Sequence, residues 1–165
     1  MLGTGIYNYF AEAFPEQNPS IKPLMAFVPK GDKKIGILQL EAASKNARYA
    51  KIEAKFVLLQ IYYDFEKNAY SALPIAEELA RMYPANPVFQ RYLGRCYVSM
   101  FMLQEWQEQW QAILENYQRK KAGFDLQTAR EALYYLGSAL MEKNQLDDAL
   151  KYFYKCDEAS RIIDR

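Results

Sequence analysis

Two stretches of this chain fall in the same frame 34 residues apart, starting at Glu53 and at Pro87, and a third copy starts at Arg130. The first places Leu59, Tyr63, Ala72, Leu79 and Pro84 at positions seven, eleven, twenty, twenty-seven and thirty-two. The second places Leu93, Gly94, Tyr97, Trp110 and Ile113 at seven, eight, eleven, twenty-four and twenty-seven, and the third Leu136, Gly137, Leu140, Ala149, Phe153 and Cys156 at seven, eight, eleven, twenty, twenty-four and twenty-seven. A period of this size means stacked antiparallel helix hairpins, an architecture suited to holding another molecule rather than converting it.

Composition supports a packed chain without a strong field. With 165 residues, 51% of them hydrophobic and 15% aromatic, one continuous core is within reach. Lysine and arginine number 21 against 20 acidic residues, so the net charge of +1 steers toward neither nucleic acid nor anionic lipid. The chain has no histidine, which removes the commonest general base and the commonest transition-metal ligand together. Cys96 and Cys156 sit inside apolar helical patterns and read first as free core thiols, with a disulfide or a reactive site as alternatives. No apolar run approaches the ~20 residues of a membrane span, and the N-terminus carries no export signal.

Along the chain, Tyr7, Phe10 and Phe14 share one helical face, and Pro15 is expected to end that helix. Glu16 to Gly31, with Pro19, Pro23 and Pro29, reads as a long structured loop in which Ile21 to Phe27 can form a short helix. Asp32 is an N-cap candidate for a helix with Ile35, Leu38, Ala42 and Ala43 as its apolar stripe, while Gly36, Leu40 and Ala43 have the spacing of repeat positions twenty, twenty-four and twenty-seven. With Leu2 and Gly3 at positions seven and eight, residues 1–50 become a partial repeat carrying an insertion of roughly twenty residues between its helices. Further helices are expected from Tyr49 to Phe65, after a cap at Ser71, after Asn86-Pro87, from Gln104 to Lys121, from an Asp125 cap to Met141, and from Asp147 onward. The total is about eight helices and no strand.

These residues resemble the tetratricopeptide repeat (TPR) family, in which Leu-Gly at seven and eight, Tyr at eleven, Ala at twenty, an aromatic at twenty-four and a small residue at twenty-seven allow two helices to pack closely. The third copy is the clearest match. The first departs with Gln60 and Ala76 where Gly and an aromatic are usual, and the second with Trp106 where Ala is usual, a ring expected to open or rotate its hairpin. Gly5-Ile6-Tyr7-Asn8-Tyr9-Phe10, Lys30-Gly31-Asp32, Glu53-Ala54 and Tyr83-Pro84-Ala85-Asn86-Pro87 resemble more closely a group of bacterial TPR proteins. The resemblance implies an all-α, TPR-like right-handed superhelix in a single domain over 1–165, with repeats at 53–86, 87–120 and 130–163. It also implies the C-terminal part of a longer protein of the bacterial cytoplasm or periplasm. The step of 43 residues from the second copy to the third inserts Lys121 to Ala129, which is expected to lengthen the preceding helix.

In repeats of this type the first helix of each pair lines the concave surface, at positions two, five, nine, twelve and thirteen. These are Ala54, Val57, Ile61, Asp64 and Phe65 in the first copy, Val88, Arg91, Arg95, Val98 and Ser99 in the second, and Glu131, Tyr134, Ser138, Met141 and Glu142 in the third. Asp64, Arg91, Arg95, Tyr134, Ser138 and Met141 are the candidate peptide-binding residues. Arg91 and Arg95, four apart on one helix face, can grip a carboxylate bidentately, the plain alternative being a solvated surface pair. Tyr134 beside Ser138 adds a hydrogen-bonding aromatic wall. Arg119, Lys120 and Lys121 are explained by the helix dipole, and the adjacent carboxylates Glu77-Glu78, Asp147-Asp148 and Asp157-Glu158 by a solvated surface role, since neighbouring helix positions point in different directions. The expected activity is non-enzymatic binding of a protein or peptide, with no cofactor, metal, nucleic acid or membrane insertion. The alternative is a structural, homodimer-forming role with Trp106, Trp110 and Phe124 as an exposed aromatic surface.

Overall fold

The segment before Gly31 returns to the helix it departs from. Tyr7 donates its hydroxyl to the Pro29 carbonyl at 2.6 Å, the Lys33 amide donates to Glu12 at 2.7 Å, and Gly31 lies so close to Asn8 that a Cβ there would meet its carbonyl oxygen at 2.3 Å. The computed structural model describes residues 1–25 and 27–164 and contains nine α-helices and no strand among them. They form two compact units, Met1–Ile75 and Ala76–Arg165, so the expected repeat 53–86 straddles a division of the chain.

In the first unit, α1 (Leu2–Gln17) packs on α3 (Lys33–Asn46), a short 3₁₀ turn (Pro19–Ile21) and α2 (Lys22–Met25) occupy the insertion, and α4 (Lys51–Gln60) continues into a π turn, Ile61–Phe65. Pro15 does not end α1: the helix continues to Gln17, and Asn18 closes it by donating to the Phe14 carbonyl. Asp32 caps α3 as expected, accepting from the Ile35 amide at 2.9 Å. Its buried face is Gly36, Leu40, Ala43 and Ser44 rather than the stripe through Ile35 and Leu38, both exposed. The repeat spacing therefore outranks local hydrophobicity, because α1 comes within backbone distance of Gly36, where a Cβ would meet the Tyr9 nitrogen at 2.6 Å. Gly5, not Gly3, is the small residue opposite Leu40: a Cβ at Gly5 would lie 2.8 Å from Leu40 Cγ, while one at Gly3 would meet nothing within 4 Å.

Tyr9, Ala13, Leu40, Leu58 and Ile61 form the core of this unit, with Phe10 and Phe65 packed against it. The Tyr9 hydroxyl donates to Glu66 at 2.6 Å, and burial, then that carboxylate, push its phenol far above the usual range. Tyr62 is likewise pushed up to about 12 by burial and its hydrogen bond to Glu41. Each carboxylate thus favours the neutral, donating form of the hydroxyl it accepts from.

The helix α5 (Ala69–Met82) begins earlier than expected. Asn68, not Ser71, is its cap, its side chain accepting from the Ser71 amide at 3.0 Å, which leaves Pro74 in the second turn rather than the first. In the second unit follow α6 (Pro87–Ser99), α7 (Leu103–Gln118), α8 (Leu126–Glu142) and α9 (Leu146–Ile163). The Lys121 to Ala129 insertion does not lengthen α7, which stops at Gln118; its first part forms a connection through Gly123, at φ +83, to the Asp125 cap, and Leu126 to Ala129 form the first turn of α8. The last helix starts at Leu146, so Asp147 and Asp148 lie in its first turn. Gln90 ties three helices together, donating to the Ala80 carbonyl at 3.0 Å and accepting from Gln109 at 2.7 Å.

Trp106, Trp110 and Phe124 are buried, which removes them as an exposed dimer surface. Trp106 donates its indole N–H to the Tyr135 carbonyl at 2.9 Å, and Trp110 stacks on Tyr135 at 4.6 Å between ring centroids. Gly94 admits Trp110, since a Cβ there would stand 2.7 Å from the indole, and Gly137 admits Phe153 in the same way at 2.8 Å.

Lys67, Phe101 and Asn144 have left-handed backbone, φ 53, 54 and 57, and occupy position fifteen of the first, second and third copies. The following residue closes the preceding helix in each case: Asn68 donates to the Tyr62 carbonyl at 2.7 Å, Met102 to Tyr97 at 2.9 Å and Gln145 to Leu140 at 2.9 Å. In the first copy the acceptor lies one residue earlier, the mark of the π turn just before it. Left-handed backbone at a residue with a side chain costs about 1 kcal/mol, so Lys67→Gly is expected to raise unfolding free energy by ~0.5–1 kcal/mol in urea denaturation. A loss of stability would mean that the lysine side chain holds the turn.

Candidate functional site

Each helix that carries the candidate arginines and their neighbours has a fixed start. Asn86 caps α6 by accepting from the Val88 amide at 2.9 Å, with Pro87 at the first helical position. Asp125 caps α8 by accepting at 2.8 Å from both the amide and the hydroxyl of Thr128, and these hydrogen bonds hold its carboxyl below the usual carboxylate range. One turn separates Arg91 from Arg95 on α6, and Glu131 on α8 reaches both. Its Oε2 accepts from Arg91 Nε at 2.5 Å and lies 2.5 Å from Nη2, while its Oε1 accepts from Arg95 Nε at 2.5 Å. Glu131 is 14% exposed and the arginines 24% and 26%, so these are not a solvated surface pair. Removing one member of such a half-buried cluster leaves uncompensated charge.

The cluster forms one wall of a cleft of about 480 Å³. Arg91 and Arg95 line it from α6, Gln127, Arg130, Glu131 and Tyr134 from α8, and Cys156 and Ser160 from α9. Three guanidiniums face one carboxylate, an excess of positive charge that the chain's net charge conceals. Cys156 donates to the Arg130 carbonyl at 3.5 Å; burial pushes its thiol up, against the downward pull of the Arg130 charge, so it is not poised as a thiolate nucleophile. Cys96 is in no disulfide and is fully buried.

Of the candidate residues, the structure brings Arg91, Arg95 and Tyr134 to this cleft. Ser138 does not line it; its hydroxyl is satisfied within α8 by the Tyr134 carbonyl at 3.0 Å. Met141 lies half-exposed near the end of α8, and Asp64 belongs to the π turn of the first unit. Ala54 and Ile61, two expected groove positions, are fully buried. Ile61 joins Tyr9 and Leu40 in the first core. Arg130, Cys156 and Glu131 in its role as acceptor were not among the expected binding residues. Opposite charges at facing positions of successive copies were the available signal for Glu131; nothing at the level of spacing marks the side of α9 that carries Cys156.

Among the described residues no group of His, Cys, Asp or Glu is arranged to hold a metal ion, and no helix is long and apolar enough to cross a membrane. No family model, curated protein or solved structure matches this chain.

The Asp125 cap is open to direct test. Asp125→Ala is expected to lower stability by about 1 kcal/mol at neutral pH. Because the folded carboxyl lies below its unfolded value, near 3.8, the difference from wild type is complete above that value and shrinks as pH falls through the folded one. Thermal melts of both proteins between neutral and acid pH check this; a difference that grows on acidification would refute the capping role.

Proposed function

We propose that this chain is a non-enzymatic, TPR-like scaffold that binds an acidic peptide segment of a partner protein in the cleft between α6, α8 and α9. The observation that carries the reading is the excess of guanidinium charge in a cleft large enough for side chains, with Tyr134 on its wall. Carboxylates meeting arginine in a half-desolvated site form short, charge-assisted hydrogen bonds. The left-handed closure at position fifteen of all three copies supports the repeat reading. Arg91→Ala with Arg95→Ala is expected to weaken binding of an acidic peptide by tenfold or more, about 1.4 kcal/mol. Fluorescence anisotropy at low and moderate salt reads this, and affinity equal to wild type would sink the groove assignment.

A second reading, self-association, rests on α9, where Leu146, Leu150 and Tyr154 recur every fourth residue and are 59%, 50% and 63% exposed. Under this reading the sedimentation coefficient rises with protein concentration and Leu150→Glu abolishes the rise. A concentration-independent monomer removes it.

A further inference from the structure

Arg130 differs from its two neighbours in the cleft. Arg91 and Arg95 are committed to Glu131, whereas the Arg130 guanidinium has no ion pair or hydrogen bond among the described residues. It is half-buried, with all five N–H donors available to a ligand. An incoming carboxylate displaces nothing at Arg130. At the arginine pair it must compete with a carboxylate tethered in the same molecule, both of whose oxygens are already engaged at 2.5 Å.

Building on the peptide-binding reading, we infer that Arg130 is the first anchor for an acidic side chain of the ligand, and that Glu131 is an internal competitor that occupies Arg91 and Arg95 until a second ligand carboxylate takes its place. The ligand class is a segment with at least two neighbouring carboxylates. One charge suffices for Arg130, and the second is needed for the exchange. Glu131 thereby lowers affinity for singly charged segments, a form of selectivity built from a repulsive element. A merely structural Glu131 would have the opposite effect on binding, because losing it would leave the arginines unpositioned.

Cys156 is a native reporter of occupancy. Its thiol bonds to the backbone carbonyl of Arg130 itself and lines the same cleft, while the other thiol, Cys96, is fully buried. The test uses fluorescein-labelled hexaglutamate, with anisotropy for affinity and the rate of N-ethylmaleimide modification at Cys156 for location. The expected results are about tenfold weaker binding for Arg130→Ala, binding by Glu131→Gln about threefold or more tighter than wild type, and slower Cys156 alkylation when the peptide saturates wild-type protein. Arg130→Ala removes a side chain without partners, so it leaves the fold intact, and its thermal melt verifies this. If hexaglutamate binds and Arg91→Ala weakens it while Arg130→Ala matches wild type, or if Glu131→Gln weakens binding as Arg91→Ala does, this inference fails and the peptide-binding reading stands. If hexaglutamate does not bind wild type, or binds without protecting Cys156, both fail.

Discussion

The chain must reverse direction after the first helix of every copy, and it does so without glycine. Lys67, Phe101 and Asn144 accept left-handed backbone so that the next amide can reach back and close the helix it has just left. Of these only asparagine adopts that conformation readily. The strain is tolerated because each turn satisfies carbonyls that would otherwise be left open at the helix end. These turns fix where each second helix begins and therefore which of its faces meets the first.

Close approach then depends on matched size. Gly94 receives the face of Trp110 and Gly137 the ring of Phe153, so the bulk at position twenty-four is accommodated by its absence at position eight. Trp106, at a position where a small residue is expected, is accommodated differently: its indole N–H finds the Tyr135 carbonyl and its ring meets that of Tyr135 at 85°. Trp110 has no such partner for its own N–H. An unpaired buried donor costs about 1–3 kcal/mol, which the stacking on Tyr135 and the packing against Gly94 must outweigh. The same α6 and α8 helices that bury these rings present Arg91, Arg95 and Glu131 on another face, so the charge cluster rests on the aromatic core behind it.

Much of this was legible in the sequence. Helix ends followed from Asp32, Asn86 and Asp125, whose caps need only a side-chain oxygen two or three residues from an open amide. The repeat spacing found Gly36 and Leu40 as a buried face where local hydrophobicity pointed to Ile35 and Leu38. Other features escaped. Backbone strain at Lys67 and Phe101 leaves no compositional trace, because glycine is the usual signal and is missing. The one-residue bulge of the π turn has no residue preference strong enough to read, yet it alters how the first copy closes. The Glu131 bridge joins residues 36 and 40 apart in sequence, and opposite charges at that distance acquire meaning only once α6 and α8 are side by side.

The insertion between α1 and α3 leaves at Gln17 and is pinned back onto α1 through Tyr7, Asn8 and Glu12. Its two ends are thus anchored independently of what lies between Pro19 and Val28, where Leu24 and Phe27 point outward and bear no load in the core. That segment is a natural cassette: foreign peptide can be grafted there with the entropic cost of closing the loop confined to α1 and rising only slowly with the length inserted.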